Sequence, residues 1–193
     1  GAGCAPVAGD ALVVLEDDKK LQNTDNVIPA INKKASSPEL IAALDKASAA
    51  LDTTKLIALN KAVAVDRKSS KAAAQEFAAA NNVTAGITKG AGGSLTIGAA
   101  DFPESATLAE LYGLTATAAG YSVKVQTIGN RELYEPALEK GDLDVVPEYA
   151  ATLATFLAGK VEGKNAKDPS SPDLQTTITN LTALGEKRGL VFG

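Results

Sequence analysis

Histidine, methionine and tryptophan are absent from this 193-residue chain, and cysteine occurs once, at Cys4. Without histidine there can be no Ser-His-Asp triad, no Cys-His pair and no His-ligated zinc. One cysteine excludes an internal disulfide and a thiolate metal site. Gly-Ala-Gly-Cys at the start resembles the end of a lipoprotein signal, but no apolar segment precedes it, and Cys4 is read as an incidental terminal cysteine. No run of about 18 apolar residues exists, so no helix is expected to span a bilayer. No signal peptide is visible, and with Gly1 at the start and no methionine the chain reads as a processed or engineered product. A surplus of charge of one sign is also missing. The 19 Lys and Arg against 23 Asp and Glu leave a net charge of −4 with no like-charge block, which argues against a nucleic-acid surface. An enzyme would have to rely on carboxylates, Lys, Tyr or Ser. A hydrolase using Asp101, Glu104 or Glu148 lacks any accompanying nucleophile motif, so the chain reads as non-enzymatic, with no cofactor and no metal.

What is present is an Ala-rich, aromatic-poor chain, 45% hydrophobic and 22% charged, long enough to bury a core. Ala11–Glu16 is an apolar run stopped by Asp17 and Asp18, a buried-strand signal. Asn26–Asn32 reads as a second strand, and Pro29 within it predicts an edge or an irregular position. Ser37-Pro38-Glu39 combines a hydroxyl cap, a first-turn proline and an acid, and predicts a helix with Leu40, Ile41, Leu44, Ala47 and Leu51 in helical spacing. Asp52 opens a second helix with Leu56, Leu59 and Val63 on one face. Ser69 or Ser70 opens a third, with Ala73, Phe77 and Ala80. Residues 83–93 are rich in glycine and predict a flexible joint. They precede a strand rather than opening a helix after one, which counts against a phosphate-binding loop.

Beyond the joint the rhythm changes to strand–helix alternation. Strands are predicted at Leu95–Gly98, Tyr121–Ile128, Asp144–Glu148 and from Gly189. Helices are predicted at 104–119, 131–140 and 150–158, and another from Ser171-Pro172-Asp173, after a polar loop at 159–171. Such alternation predicts a parallel α/β sheet with helices on both faces. Ligands in such sheets sit beyond the carboxyl ends of the strands. Those turns are Ala100–Ser105, Gly129–Arg131 and Glu148–Thr152.

Ile97-Gly-Ala-Ala-Asp-Phe-Pro-Glu-Ser105, Gly120-Tyr-Ser-Val, Ile128-Gly-Asn-Arg131, Ala137-Leu-Glu-Lys-Gly-Asp-Leu-Asp144 and Pro147-Glu-Tyr149 resemble the substrate-binding proteins of glycine betaine/choline-type ABC importers, which are type II periplasmic binding proteins. Leu12–Asp18, Asn26–Ile31 and Leu56–Val65 resemble that family's carboxyl-terminal segment. The resemblance implies a three-layer α/β/α first lobe with a mostly parallel central sheet. The swapped order implies a circular permutation of that lobe: residues 1–82 resemble the family's carboxyl-terminal segment, 83–93 are the Gly-rich joint, and 94–193 resemble its amino-terminal segment. An engineered permutation is expected, with a natural single-lobe relative as the alternative.

The same resemblance implies a small polar or quaternary-ammonium solute, an ABC permease as the parent's partner, and a parent that is a periplasmic or extracellular membrane-anchored lipoprotein. This chain itself is expected to be a soluble recombinant product. The ligand-binding candidates are Phe102, Glu104, Ser105, Asn130, Arg131, Tyr149 and Thr152. Phe102 either offers its ring to a cation or caps the sheet end. Glu104 and Ser105 either contact solute or serve the start of their helix. Arg131, beside Asn130, meets a solute carboxylate, lies solvated, or joins a structural ion pair. Tyr149 lines the cleft or the core, and Thr152 donates to an anion. Glu148 is expected to be structural, bonded to nearby backbone. Val146, Ala150 and Ala151 depart from the family stretch, where a Tyr and the pair Thr-Gly stand. With Val146 in place of an aromatic, the cage is expected to be incomplete and binding weak or lost. An exposed interlobe face would favour a homodimer.

Overall fold

The structure, a computed structural model, describes residues 26–163, 167–171 and 173–193. The expected strand at Ala11–Glu16 lies outside them. Among the described residues no helix is long and apolar enough to cross a membrane. The described residues fall into two compact units, one with Asn26 and those between Tyr149 and Lys187, the other with Val27–Glu148 and Arg188–Gly193.

The larger unit is built on five strands, β1 (Val27–Asn32), β2 (Gly93–Ala100), β3 (Tyr121–Gly129), β4 (Val145–Tyr149) and β5 (Leu190–Phe192), in the order β3-β2-β4-β1-β5. β2 runs parallel to β3 and to β4, with Ile97 opposite both Val125 and Val145. β1 is the exception. It pairs antiparallel with β5, Ala30 opposite Phe192. Against β4, Asn32 N–H donates to the Asp144 carbonyl at 2.9 Å, while Ala150 N–H donates to the Asn26 carbonyl at 2.9 Å. These two bonds run in opposite chain senses, so β1 is antiparallel to β4 as well, and the sheet is mixed but mostly parallel.

Pro29 therefore does not mark an edge, because β1 has a neighbour on each side. Counting in twos from Asn32–Asp144 places Ala30–Val146 and Ile28–Glu148 at the hydrogen-bonding pairs, with Pro29 opposite Pro147 between them. In an antiparallel pair such a position asks for no N–H. On the other side the ladder with β5 stops at Ala30–Phe192, so the missing donor costs nothing there either.

Asp144 pins the register. Its carboxylate accepts Thr96 N–H at 2.8 Å, its own N–H donates to the Thr96 carbonyl at 2.8 Å, and its carbonyl accepts Asn32 N–H at 2.9 Å. One residue thus ties β2, β4 and β1 together.

Helices α1 (Pro38–Ala49), α2 (Thr53–Ala64) and α3 (Ser70–Ala80) precede β2, and α4 (Pro103–Ala118) and α5 (Arg131–Lys140) follow β2 and β3. The start signals read as expected. The side chains of Ser37, Asp52 and Ser69 accept from Leu40, Lys55 and Ala72 N–H. One face of the sheet, with Ile31, Leu95, Ile97, Ala99 and Val145, packs on Leu40, Leu44, Ala78, Ala109 and Tyr112 from α1, α3 and α4. Burial of these groups supplies the main stabilisation, at roughly 25 cal/mol per Å² of apolar area. Hydroxyl pairs dock α1 onto the later segment, Ser48 with Tyr112 at 2.7 Å and Ser37 with Tyr121 at 3.0 Å. α5 covers the other face. There Asn32 Nδ2 donates to the Leu138 carbonyl at 2.8 Å, and Gly98 makes room for Leu143 and Val146. The result is three layers.

The joint is not loose. Gly90 N–H donates to the Ala119 carbonyl at 2.9 Å. A Cβ on Gly90 would lie 2.9 Å from Glu39 Cβ, and one on Gly92 would lie 2.8 Å from the Gly120 carbonyl oxygen. The glycines serve close backbone approach rather than mobility, and the last of them, Gly93, already begins β2.

In the smaller unit, α6 (Ala150–Glu162) packs with α7 (Leu174–Glu186). α6 runs four residues past the expected end, through Gly159. The cap of α7 is Asp173, which accepts from Thr176 N–H, rather than the expected Ser171. Ser171 instead accepts Asp173 N–H at 3.1 Å, a turn that sets up the cap.

Replacing Asp144 with Ala leaves the Thr96 N–H without its acceptor and is expected to cost about 1–3 kcal/mol, read by urea unfolding. Gly92→Ala, with φ +79 and a backbone oxygen in the way, should destabilise by at least about 1 kcal/mol. Gly159→Ala, with open space around it inside α6, should stabilise by up to about 1 kcal/mol; equal melting shifts for the two would contradict this account of the joint.

Candidate functional site at the carboxyl edge of the sheet

The carboxyl ends of β2 and β3 lie side by side, Ala100 opposite Gly129 across an irregularity at Ala99 and Ala100. The turns that follow are stitched by Asp101 N–H to the Gly129 carbonyl at 3.2 Å. Three residues beyond the Ile97–Val145 pair are Ala100 and Glu148, so the end of β4 comes to the same edge.

Phe102 is the N-cap residue of α4, with extended backbone and no side-chain cap bond. The residue is 45% exposed, so it does not close off the sheet end as a core residue would. Leu133, in the first turn of α5, is 59% exposed, and its Cδ1 sits 2.9 Å from where a Gly129 Cβ would be. Gly129 itself has φ +142. Asn130 caps α5 through its backbone only, its carbonyl accepting Leu133 and Tyr134 N–H, and its side chain is exposed.

Two candidates are occupied locally. Ser105 is buried and its hydroxyl accepts Ala100 N–H at 2.8 Å. It closes the turn from β2 into α4 and does not face the edge. Glu104 accepts from Asn60 Nδ2 of α2 at 2.7 Å, a polar tie between the two chain segments. Tyr149 ends β4 and is the N-cap residue of α6, and Thr152 lies half-buried in the first turn of that helix. Both belong to the smaller unit.

Arg131 lies in an ion pair. Its Nε donates to Glu148 Oε2 at 2.6 Å and its Nη2 to Glu148 Oε1 at 2.7 Å, a bidentate contact. Tyr134 Oη donates to the same Oε2 at 2.6 Å. The Arg131 side chain is 24% exposed and that of Glu148 1%. The hydrogen bonds it donates to Glu148 push the Arg131 pKa up, so it stays charged. Burial, then the Glu148 charge, pushes the Tyr134 phenol well up, so it stays a donor. Glu148 was expected to be structural, bonded to nearby backbone; its carboxylate is gripped by two side chains from α5. Tyr134 was not among the candidates. Its one signal in the sequence is its spacing, three residues after Arg131 and thus on the same helix face.

Val146 is fully buried, on the sheet face that packs against Leu143. At this position the valine fills core, and an aromatic ring here would have to enter packed space rather than the open edge. Among the described residues no cluster of three or more Cys, Asp or Glu side chains is placed to hold a metal.

A three-layer α/β unit with exposed aromatic, amide and guanidinium groups at the carboxyl edge of a mostly parallel sheet has the form of a solute-binding lobe. The family model for the substrate-binding domain of the ABC-type glycine betaine transport system matches residues 7–80 and 93–179. The chain belongs to that family, whose members are non-enzymatic solute-binding proteins. No curated protein matches it.

Two buried phenols make stability fall at high pH. Tyr112 and Tyr134 both have folded-state pKa values raised above the ordinary 10.0, chiefly by burial. Below pH about 10 both states are protonated and the contribution is complete. Above it the unfolded chain loses protons that the folded chain keeps, so stability should drop. Urea unfolding from pH 8 to 11.5 is expected to show this drop, reduced in Tyr134→Phe; an identical slope in that variant would contradict it.

Proposed function

We propose that this chain is the first lobe of a glycine betaine-type substrate-binding protein, with its two segments in circularly permuted order. Its parent type holds a small polar or quaternary-ammonium solute outside the cytoplasm and delivers it to an ABC permease. The observation that carries the reading is the position of β1. This strand comes from the segment before the joint, yet it lies between β4 and β5 of the segment after it. Its first residue and the last residue of β5 stand at one end of the sheet, since Ala30 pairs with Phe192. That end is the one carrying Ala100 and Gly129, where a second lobe would complete a cleft. The two stretches matched by the family, 7–80 and 93–179, leave a gap that coincides with the joint.

In this reading Phe102 offers its ring to the cationic end of the solute, and Asn130 and Arg131 face its polar end. Glu104 and Ser105 support this shell from behind. Half a shell leaves a solute in water, while functional pockets bury about 70–90% of a ligand. Affinity is therefore low, millimolar or weaker.

A second reading, a self-associating module, is favoured by the exposure of Phe102 and Leu133 on the same edge. Calorimetric titration with glycine betaine, choline, carnitine and proline is expected to give no saturation below millimolar concentration. Tighter binding would contradict the half-shell reading. Light scattering across protein concentration should show a monomer, and a dimer that Phe102→Ser dissolves would favour the second reading.

A further inference from the structure

Resting on the solute-binding reading, we propose that Glu148 and Tyr134 are positioning residues: a buried clamp that holds Arg131 by one edge of its guanidinium and leaves the other edge open to a solute carboxylate. A guanidinium has two edges able to grip a carboxylate, the side edge of Nε and Nη2 and the end edge of Nη1 and Nη2. Glu148 occupies the side edge completely, at 2.6 and 2.7 Å. Among the described residues no acceptor meets Nη1. The Arg131 side chain is 24% exposed against 1% for Glu148, and the end edge is the part of the guanidinium that the proposal opens to a solute.

The clamp is built from rigid parts. Arg131 and Tyr134 stand three apart on α5, and their shared target is on β4, in a strand hydrogen-bonded on both sides. Tyr134 is 3% exposed, and its hydroxyl donates to the oxygen that also receives Nε. Two donors on Oε2 stop the carboxylate from rotating about its terminal bond. Without the phenol, the carboxylate can turn and the guanidinium can swing out into solvent. Glu148 itself is too deep to meet a solute, so its part is indirect. Its charge also balances that of Arg131, so the open edge recognises a carboxylate by paired hydrogen bonds at fixed angles more than by net charge. The clamp thus favours solutes that carry a planar carboxylate over those ending in a hydroxyl.

The test is nuclear magnetic resonance on the whole chain, with the Arg131 Nε–H signal as probe. In the unsubstituted chain that proton should exchange slowly with water at neutral pH. In Tyr134→Phe, which keeps the ring, exchange should quicken about tenfold, as for loss of one hydrogen bond to a charged group, while backbone amide signals report an intact fold. Glu148→Gln should quicken it further. Unchanged exchange in both variants, with the fold retained, would overturn the clamp. Glycine betaine and choline, which differ by a carboxylate against a hydroxymethyl group, are then added to tens of millimolar. Betaine should shift the Arg131 side-chain signals and choline should not, and Tyr134→Phe should weaken the betaine shift alone. Shifts at Phe102 from either solute without any at Arg131 would overturn the open edge and leave the binding reading standing. No shift anywhere would instead remove the solute-binding reading, with the exchange measurement still deciding the clamp.

Discussion

Three strands meet at Asp144, and the rest of the unit depends on that meeting. Its carboxylate and its backbone together satisfy Thr96 on β2 and Asn32 on β1. Asn32 is buried and Thr96 and Asp144 are half-buried, so little solvent is at hand to repair a missed backbone bond, and a register error at this point would strand several polar groups at once. Because β1 comes from the early segment and β2 and β4 from the late one, the same residue also joins the two halves of the chain. The inserted strand runs against its neighbours, and it can carry Pro29 because the antiparallel register places that residue opposite Pro147, between bonding pairs.

The site inherits its geometry from this arrangement. With β2, β3 and β4 parallel and in register, their carboxyl ends present Phe102, Asn130 and Glu148 at one level. The most exposed groups are apolar or amide, and the charged ones are engaged, Glu104 by Asn60 and Arg131 along one edge by Glu148. A buried carboxylate is costly unless donors surround it; Arg131 and Tyr134 provide them. The same pairing fixes where the arginine can point.

Much of this was legible in the residues. Ser37, Asp52 and Ser69 cap where their side chains predict, because capping is a local bond within one turn. Gly120 and Gly141 stop their helices with positive φ, a conformation that glycine alone enters without penalty. Strand–helix alternation after residue 93 placed the turns that carry the candidate site. Misreadings came where a distant partner decides the outcome. The joint reads as flexible by composition, yet Gly90 and Gly92 are small because Glu39 and Gly120 press against them. Ser105 reads as a cleft hydroxyl, yet the Ala100 amide claims it.

The sequence by itself determined the local elements, their caps and stops, the α/β class and the family, since each rests on short-range spacing or on ordered motifs. Only the tertiary structure decided the direction of β1, the burial of Val146 and the union of Arg131, Tyr134 and Glu148. Glu148 stands 17 residues from Arg131 and on a different element. No pattern along the chain carries such a pairing, because it exists only once parallel packing brings the start of α5 against the end of β4.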